Sequence, residues 1–346
     1  MVCKTVRFCS VLLLCGLIAN SAFADRGVFD FERWDTMLDD IRTKATEQKI
    51  SQSVIDDTLK SPVFIPNIVK SDKNQSEFTL TLDQYLSRTV TNDRVTQGHK
   101  KRAQYPTMLR QIENKFGVPQ SVILAFWGME SNYGVVKSRY QLTNSFLTLI
   151  YEGRRAEFFS KQLLALMKIA DKNKLQIKNI HGSWAGAMGH FQFIPTTLSQ
   201  YGSDGNADGR IDIINNVSDA MFSAGNYLNK LGWDEHEKIA TKVLIPTDFD
   251  SDLINGDKKY SISEWSERGV LNADGTPLAK SDTVVGLVAD GNDDVAASLV
   301  SSPDNDIEIQ SVKVAYLTYP NFYRIKKWNN SNWYAIAIHE LSDKLK

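Results

Sequence analysis

The sequence has little cysteine, and its three cysteines, Cys3, Cys9 and Cys15, all lie near the start of the chain. The remainder can therefore form no disulfide and offers neither a cysteine nucleophile nor thiolate metal ligands. Long hydrophobic runs are also lacking. The mainly apolar stretch from Phe8 to Ile18 is shorter than the roughly 20 residues that a transmembrane helix needs. Cysteine-dependent enzyme classes are excluded, and we predict no transmembrane segment in the mature chain.

The first 24 residues have the pattern of a secretory signal peptide. Lys4 and Arg7 precede the apolar stretch, and an Ala-Phe-Ala cleavage motif follows at residues 22–24. The mature protein should therefore start near Asp25. A lipoprotein signal would need a small residue before the acylated cysteine, but Leu14 precedes Cys15, so lipidation is not favoured.

The chain lacks an excess of charge of either sign. It has 40 basic and 41 acidic residues, and loss of Lys4 and Arg7 with the signal peptide gives 38 − 41 = −3. Nothing in this balance indicates a polyanionic partner, so we expect no nucleic-acid binding. The length fits one large domain or two to three smaller ones.

Hydrophobic periodicity divides the mature chain into a helical part and a small β-rich part. From about Phe29 to Asp171 apolar residues recur at three- and four-residue spacing, and further helices are predicted at about 217–231 and 332–345. Short β-branched segments separated by Asn-Gly and Asp-Gly pairs occupy residues 238–314. We predict an α+β, mainly α fold with a small inserted antiparallel β subdomain. Its expected divisions are residues 1–24, 25–237, 238–314 and 315–346.

Glu130 ends a predicted helix that begins at about Pro119, and Ile123, Phe126 and Trp127 share its helical stripe. A glutamate against Phe and Trp loses hydration of its charged form. We therefore predict that its pKa rises and that it stays protonated near neutral pH. Such a group suits general-acid protonation of a glycosidic oxygen. The alternative is an ordinary helix-terminal glutamate whose carboxylate reaches water.

A second acidic residue is missing near Glu130, since residues 131–151 contain no Asp or Glu. Most glycosidases place two carboxylates about 5 to 9.5 Å apart across the scissile bond. A partner must come from elsewhere in the fold or be replaced by chemistry within the substrate. A lone acid fits a transglycosylase, in which the sugar's own 6-hydroxyl attacks.

Residues 181–195, HGSWAGAMGHFQFIP, combine glycines with aromatic and polar residues. Glycines allow a ligand to approach the backbone closely, and sugar rings pack well on aromatic faces. Tight packing within the protein is an equally good explanation. The histidines His181 and His190 lack the His-x-x-x-His spacing of a metal site, so metal binding by them is not expected.

Residues 204–212, DGNADGRID, match the start of an EF-hand calcium loop at positions 1, 3, 5, 6 and 9. Asp204, Asn206 and Asp208 would supply side-chain oxygens, and Arg210 its backbone carbonyl. Position 12 is Asn215 in place of the expected glutamate, and Asp219 could supply the missing carboxylate. The alternative is a metal-free Asp/Gly turn.

These segments, in this order and spacing, resemble the lytic murein transglycosylase B family, also called glycoside hydrolase family 103. The resemblance covers most of the mature chain. The matching segments are residues 127–134 (WGMESNYG), 154–159 (RRAEFF), 182–195, the Asp204 loop, residues 226–233 (NYLNKLGW) and residues 328–337 (WNNSNWYAIA).

The resemblance implies a lysozyme-like helical core with a helical N-terminal region. It also implies cleavage of the β-1,4 bond between N-acetylmuramic acid and N-acetylglucosamine, leaving 1,6-anhydromuramyl ends, with Glu130 as the acid/base. The Asp204 loop, with Asp219, corresponds to the family's calcium loop, for which we expect a structural Ca²⁺. The implied substrate-binding residues are Ser183 and Asn329 around Glu130, Gln192, Tyr227, Trp328 and Tyr85 in the sugar cleft, and Arg154 and Arg155 on the peptide-bearing side.

Some positions depart from the family pattern. Trp328 stands where the family often has tyrosine, Asn206 replaces a serine, and an extra residue lies between Asn215 and Asp219. We expect a monomeric periplasmic enzyme that binds peptidoglycan glycan strands. A hydrolytic muramidase and a non-catalytic peptidoglycan-binding protein remain the alternatives.

Overall fold

The computed structural model describes residues 29–73, 80–136, 139–291, 296–301 and 307–346. The predicted signal peptide and its three cysteines lie outside the described residues. Within those ranges no helix has the length and apolar character that a membrane span requires.

Helices dominate the described residues, as predicted, and their starts follow local sequence signals. Thr81, Thr91 and Ser331 cap helices through side-chain oxygens that accept backbone N–H groups. The helices are α1 (Phe31–Glu47), α2 (Gln52–Leu59), α3 (Pro66–Lys73), α4 (Leu82–Thr89), α5 (Asn92–Gln104), α6 (Pro106–Phe116), α7 (Gln120–Ser131), α8 (Leu142–Glu152), α9 (Ala156–Asn173), α10 (Pro195–Tyr201), α11 (Val217–Lys230), α12 (Ile262–Glu267), α13 (Pro320–Trp328) and α14 (Asn332–Lys344).

The strands form two antiparallel sheets. The first is a two-stranded ribbon, and the second has six strands in the order β4-β6-β8-β3-β5, with β7 paired to β8. The last strand of the larger sheet runs four residues past the predicted boundary at 314. The strands are β1 (Tyr140–Gln141), β2 (His181–Gly182), β3 (Ala240–Pro246), β4 (Asn255–Ser261), β5 (Leu271–Asn272), β6 (Val284–Ala289), β7 (Ala296–Ser301) and β8 (Ile307–Thr318).

One large hydrophobic core joins the helices, and the six-stranded sheet has a core of its own. Trp265 of α12 is fully buried in the core of the sheet, among inward-facing residues of β3, β6 and β8. Val288 and Tyr316, on the other face of the sheet, belong to the helical core instead. Successive side chains of β6 and β8 therefore point to opposite faces of the sheet. One face packs against the helical core, and α12 covers the other.

Two details of the β-rich part differ from the prediction. Asn255 and Gly256 lie within β4, where the pairing with β6 shifts register, so this pair forms a bulge and not a hairpin turn. Gly256 has a φ of +84°, which a bulge readily uses. The short helix α12 was not predicted, although its capping box between Ser261 and Glu264 is visible in the sequence.

Candidate active site

Glu130 lies on α7, a helix that is buried over most of its length. Residues 121–128 are all buried, so α7 lies inside the helical core and shows no amphipathic stripe. Asn132 ends the helix in the left-handed conformation, with φ of +49°. Glu130 lies in the last turn and is half-buried. The core therefore fixes the backbone of Glu130 firmly.

Two donors from the C-terminal helices hold one oxygen of Glu130. The hydroxyl of Tyr334 donates to Oε1 of Glu130 at 2.5 Å, and the indole Nε1–H of Trp328 donates to the same oxygen at 3.0 Å. Because Oε1 accepts two hydrogens, the proton of the neutral acid belongs on Oε2.

The surroundings of Glu130 favour its protonated form. Burial raises the pKa of Glu130 to about 7, from an ordinary value of 4.5, against the smaller lowering effect of the bonds from Tyr334 and Trp328. The direction agrees with the sequence prediction, but the cause differs in one respect. The tryptophan that contacts Glu130 is Trp328, whereas Trp127 donates to Nδ1 of His190.

Sequence analysis did not single out Tyr334 as a site residue. Tyr334 is buried, and burial together with the charge of Glu130 raises its pKa well above the ordinary value, so it remains a hydrogen donor. Ser331 caps α14 by accepting the N–H of Tyr334, which fixes the first turn of this helix. The sequence did contain a sign of this role, because Ser331 is a typical helix cap and Tyr334 begins an apolar run in the helix that follows.

Trp328 joins Glu130 to a wall of aromatic side chains. Its ring centroid lies 4.7 Å from that of Phe126, 4.9 Å from that of Tyr227 and 5.2 Å from that of Phe193. Tyr227 stacks in turn on a further tyrosine, Tyr201, at 4.6 Å. The structure thus brings two of the sequence-predicted residues, Trp328 and Tyr227, into one surface beside Glu130. Such surfaces suit the apolar faces of sugar rings.

Three other predicted residues come from different parts of the chain. The pKa of Tyr85 is raised by burial and then by the charge of Glu130, which places Tyr85 within electrostatic range of the acid. Gln192 has a φ of +48° and donates from Nε2 to the carbonyl of Gly189 at 2.8 Å. Asn329 is exposed at the end of α13, immediately after Trp328.

The glycine-rich segment is a set of tight turns and not a helix. Ser183 closes one turn by accepting the N–H of Ala187 on Oγ at 3.0 Å. Gly186, at φ of +99°, packs on the ring of Phe146, and a Cβ at Gly189 would lie 2.5 Å from the carbonyl oxygen of Ile213. These glycines are thus required by packing within the protein, which was the alternative explanation for this segment.

Arg154 and Arg155 converge on a different carboxylate, Asp72 of α3. Nε of Arg154 donates to Asp72 Oδ2 at 3.0 Å, its Nη2 donates to the Asp72 carbonyl at 2.9 Å, and Nη2 of Arg155 donates to Oδ1. Burial raises the pKa of Asp72, but the bonds from Arg154 and Arg155 outweigh it and hold the pKa below the ordinary value. The arginines themselves remain 50% and 37% exposed. Asp72 was not predicted from the sequence.

The Asp204 loop turns its acidic side chains onto its own backbone. Asp204 accepts the N–H of Gly209 at 2.7 Å, and Asp208 accepts the N–H of Arg210 at 2.9 Å. Asp219 closes the loop from α11, because its two oxygens accept the N–H groups of Gly205 and Asp212 at 2.9 and 2.8 Å.

The donors around this loop are of the right kind for Ca²⁺. Asp219 is fully buried, and its pKa is raised by burial, with a smaller contribution from the charges of Asp204 and Asp208. Carboxylate, amide and carbonyl oxygens are the donors that Ca²⁺ prefers. Within the described ranges, however, no three acidic or histidine side chains are arranged in a metal-holding group.

Comparisons with known proteins identify the family. The transglycosylase SLT domain family matches residues 33–343. Membrane-bound lytic murein transglycosylase B of Escherichia coli (strain K12) is 30% identical over 260 residues, which cover 75% of this chain. The chain spans only 65% of the length of that relative.

Two solved structures extend the likeness to the fold. SltB3 from Pseudomonas aeruginosa, in complex with NAG-anhNAM-pentapeptide, has a TM-score of 0.80 at 33% identity, covering 90% of this chain and 79% of that one. Lytic transglycosylase Slt35 of Escherichia coli, in complex with calcium, has a TM-score of 0.72 at 25% identity and covers 90% and 92% of the two chains. This chain belongs to the transglycosylase SLT domain family.

Proposed function

We propose that the protein cleaves the β-1,4 bond between N-acetylmuramic acid and N-acetylglucosamine in peptidoglycan and leaves 1,6-anhydromuramyl ends. The observation that carries this proposal is the environment of Glu130. A pKa of about 7 keeps a large fraction of the acid protonated at neutral pH, and Tyr334 and Trp328 occupy its other oxygen. Family membership supports the same assignment.

In the proposed reaction Glu130 acts first as acid and then as base. Oε2 gives its proton to the glycosidic oxygen as the bond from the muramyl C1 to that oxygen breaks, and the N-acetylglucosamine hydroxyl leaves. The Glu130 carboxylate then accepts the proton of the muramyl 6-hydroxyl, and this oxygen bonds to C1. The acid is thereby regenerated, and no water is consumed.

We assign the attacking group to the substrate because residues 131–151, which follow the acid in the chain, contain no Asp or Glu. A retaining hydrolase would place a carboxylate nucleophile about 5 Å from the acid, and an inverting one would place a general base further away. The bonds from Tyr334 and Trp328 also stabilise the charged carboxylate that forms after proton donation.

We assign the sugar rings to the aromatic wall of Trp328 and Tyr227, with Tyr85, Ser183, Gln192 and Asn329 as polar contacts around Glu130. We assign Arg154 and Arg155, oriented by Asp72, to the carboxylates of the peptide stem. The SltB3 structure contains a disaccharide with a pentapeptide, which supports a substrate of this composition.

Three further assignments complete the proposal. The Asp204 loop, with Asn206, Asp208, the Arg210 carbonyl and Asp219, holds a structural Ca²⁺, as supported by the calcium-bound Slt35 structure. Residues 1–24 export the chain to the periplasm, where it acts on glycan strands. The mature chain acts as a monomer.

The decisive experiment is mass spectrometry of the muropeptides that the mature protein and its Glu130→Gln variant release from purified sacculi. Anhydromuramyl products from the first and none from the second are expected. Reducing-end products would instead identify a hydrolytic muramidase. Binding to sacculi without any released product would identify a non-catalytic binding protein.

A further inference from the structure

A stripe of lysines runs along the exposed face of α9. Lys161, Lys168 and Lys172 are separated by seven and four residues, so they share one helical face over about 16 Å. The first of these lysines, Lys161, lies in the second turn of α9. All three lysines are exposed.

Two adjoining cavities lie beside this stripe. One has a volume of about 420 Å³, the other about 280 Å³, and both are lined by Lys168 together with Gln48 and Ser199. These shared residues make the two cavities one groove between the end of α1, α9 and α10. The larger volume lies within the usual range of ligand sites.

The groove combines an apolar floor with a cationic rim. Ile50, Ile169 and Leu198 form part of the floor and are buried. Five lysines line the two cavities, and the carboxylates next to them are Asp171 and Glu157. The lysines are Lys49, Lys161, Lys168, Lys172 and Lys174.

Most of the positive charge of the rim is uncompensated. Lys161 pairs with Glu157 at 2.7 Å, and Lys174 lies 4.0 Å from Asp171. Lys49, Lys168 and Lys172 have no carboxylate within 4 Å in the part of the chain that the structure describes. An anion entering the groove would therefore meet three available ammonium groups.

We propose that this groove is a second binding site for the peptide stems of peptidoglycan, separate from the cleft that contains Glu130. The inference rests on the proposed function, which supplies the substrate. Stem peptides carry carboxylates together with small apolar side chains. The carboxylates pair with Lys168, Lys172 and Lys49, and the apolar side chains lie on the floor formed by Ile50, Ile169 and Leu198.

The shape of the groove favours a short peptide over a membrane surface. A bilayer would meet the outer lysines but could not reach the concave floor, whereas an extended peptide can enter it. The amide of Gln48 and the hydroxyl of Ser199, which line both cavities, offer partners for peptide groups. Binding here would hold a neighbouring stem while Glu130 acts on a glycan strand.

The test measures binding of a fluorescently labelled free tetrapeptide stem to the full protein at low and high salt. The variant Lys168→Gln/Lys172→Gln should weaken binding about fivefold, and the wild-type affinity should fall as salt is added. The matched control is Lys258→Gln/Lys344→Gln, which removes two exposed lysines elsewhere and should bind as the wild type does. The same peptide with amidated carboxyl groups should also bind the wild-type protein about fivefold more weakly, or more weakly still.

Equal affinity of the groove variant and the control would overturn the proposal, as would equal binding of the amidated peptide or no binding at all. If the groove variant lost binding to phosphatidylglycerol vesicles but not to the tetrapeptide, the groove would bind a lipid surface instead, and the proposal would be overturned. Release of anhydromuropeptides by the same preparations separates this inference from the proposed function. The groove variant should still form these products, and the Glu130→Gln variant should still bind the tetrapeptide.

Discussion

The Tyr334 hydroxyl and Oε1 of Glu130 are 2.5 Å apart, and this contact joins α14 to α7 across 204 positions of sequence. Tyr334 is buried and its pKa is raised well above the ordinary value, so its hydroxyl donates to Glu130 throughout the neutral range. The bond stabilises the charged carboxylate and so opposes the effect of burial on the pKa of Glu130. Tyr334 therefore helps to set both the position and the acidity of Glu130.

The Tyr334→Phe variant should lose activity and change its pH profile. Loss of a hydrogen bond to a carboxylate should lower kcat about tenfold at pH 6. Activity requires protonated Glu130 and so falls as pH rises through about 7 in the wild type. Without the bond from Tyr334 the pKa of Glu130 rises further, and this alkaline limb should move to higher pH. Muropeptide release from pH 5 to 9 measures both effects.

The control for this substitution is Tyr319→Phe. Tyr319 is also buried, but its hydroxyl contacts Thr241 within the sheet, at 3.3 Å. This variant should keep the wild-type alkaline limb. An unchanged limb in Tyr334→Phe as well would contradict a role of Tyr334 in setting the pKa of Glu130.

Glu130→Gln should make the protein relatively more stable at high pH. Glu130 has a pKa of about 7 in the folded protein and 4.5 as its ordinary value, so the folded state holds more protons between these two values. The free energy of unfolding therefore falls as pH rises through this window, by about 3 kcal/mol from this residue. Glu130→Gln does not show this fall in the free energy of unfolding, because glutamine does not titrate.

Urea unfolding at pH 5 and pH 8 tests the expected change. The stability difference between Glu130→Gln and the wild type should grow in favour of the variant from pH 5 to pH 8. Glu157→Gln provides the comparison, because Glu157 is exposed and its pKa is lowered by Lys161. A difference that stays constant with pH would mean that Glu130 titrates normally.

Asp72→Asn should destabilise the region around the arginine pair. Asp72 is 2% exposed and is the common acceptor of Arg154 and Arg155. Loss of its charge leaves these bonds weaker and should cost about 2 kcal/mol at pH 7. Because the pKa of Asp72 is lowered in the folded protein, its contribution exists above about pH 4 and is lost as the pH falls further.

Asp56→Asn is the exposed counterpart of this variant. Asp56 pairs with Arg42 at 3.0 Å, but both side chains are largely in solvent. Surface pairs contribute little, so this variant should unfold at nearly the wild-type urea concentration. If the two variants lost equal stability at pH 7, Asp72 would not be the anchor of the arginine pair.

The sequence predicted the parts of the fold and site that local patterns determine. The helices α11 and α14 begin and end within one residue of their predicted bounds, because periodicity and caps such as Ser331 specify them. The acidity of Glu130 was predicted in direction, since any glutamate beside large apolar side chains loses hydration.

Long-range partners could not be predicted in the same way. The contacts of Glu130 with Trp328 and Tyr334 span about 200 residues, and only the packing of α7 against α13 and α14 brings them together. The apolar stripe around Glu130 suggested Trp127, but α7 is buried on every side and Trp127 faces His190 instead. Asp72 was missed for a similar reason, because a single acidic residue in α3 carries no local sign of two distant arginines.

Calcium should stabilise the protein through the Asp204 loop. Asp204, Asp208 and Asp219 accept only backbone and amide N–H groups of the loop, and the raised pKa of Asp219 includes repulsion from the other two. A divalent cation would remove this repulsion. At a free concentration about 100 times Kd, Ca²⁺ should add about 2.7 kcal/mol and raise Tm by about 5 °C, and chelation should reverse the shift.

The matched variants for this prediction are Asp208→Asn and Asp274→Asn. Both remove one carboxylate from an exposed Asp-Gly turn, but Asp274 lies in the turn that follows β5, where it accepts the N–H and hydroxyl of Thr276. Only Asp208→Asn should abolish the Ca²⁺-dependent rise in Tm, measured by thermal unfolding with Ca²⁺ and with chelator. Equal Tm values of the wild-type protein under the two conditions would mean that the loop is a metal-free turn, held by its own hydrogen bonds.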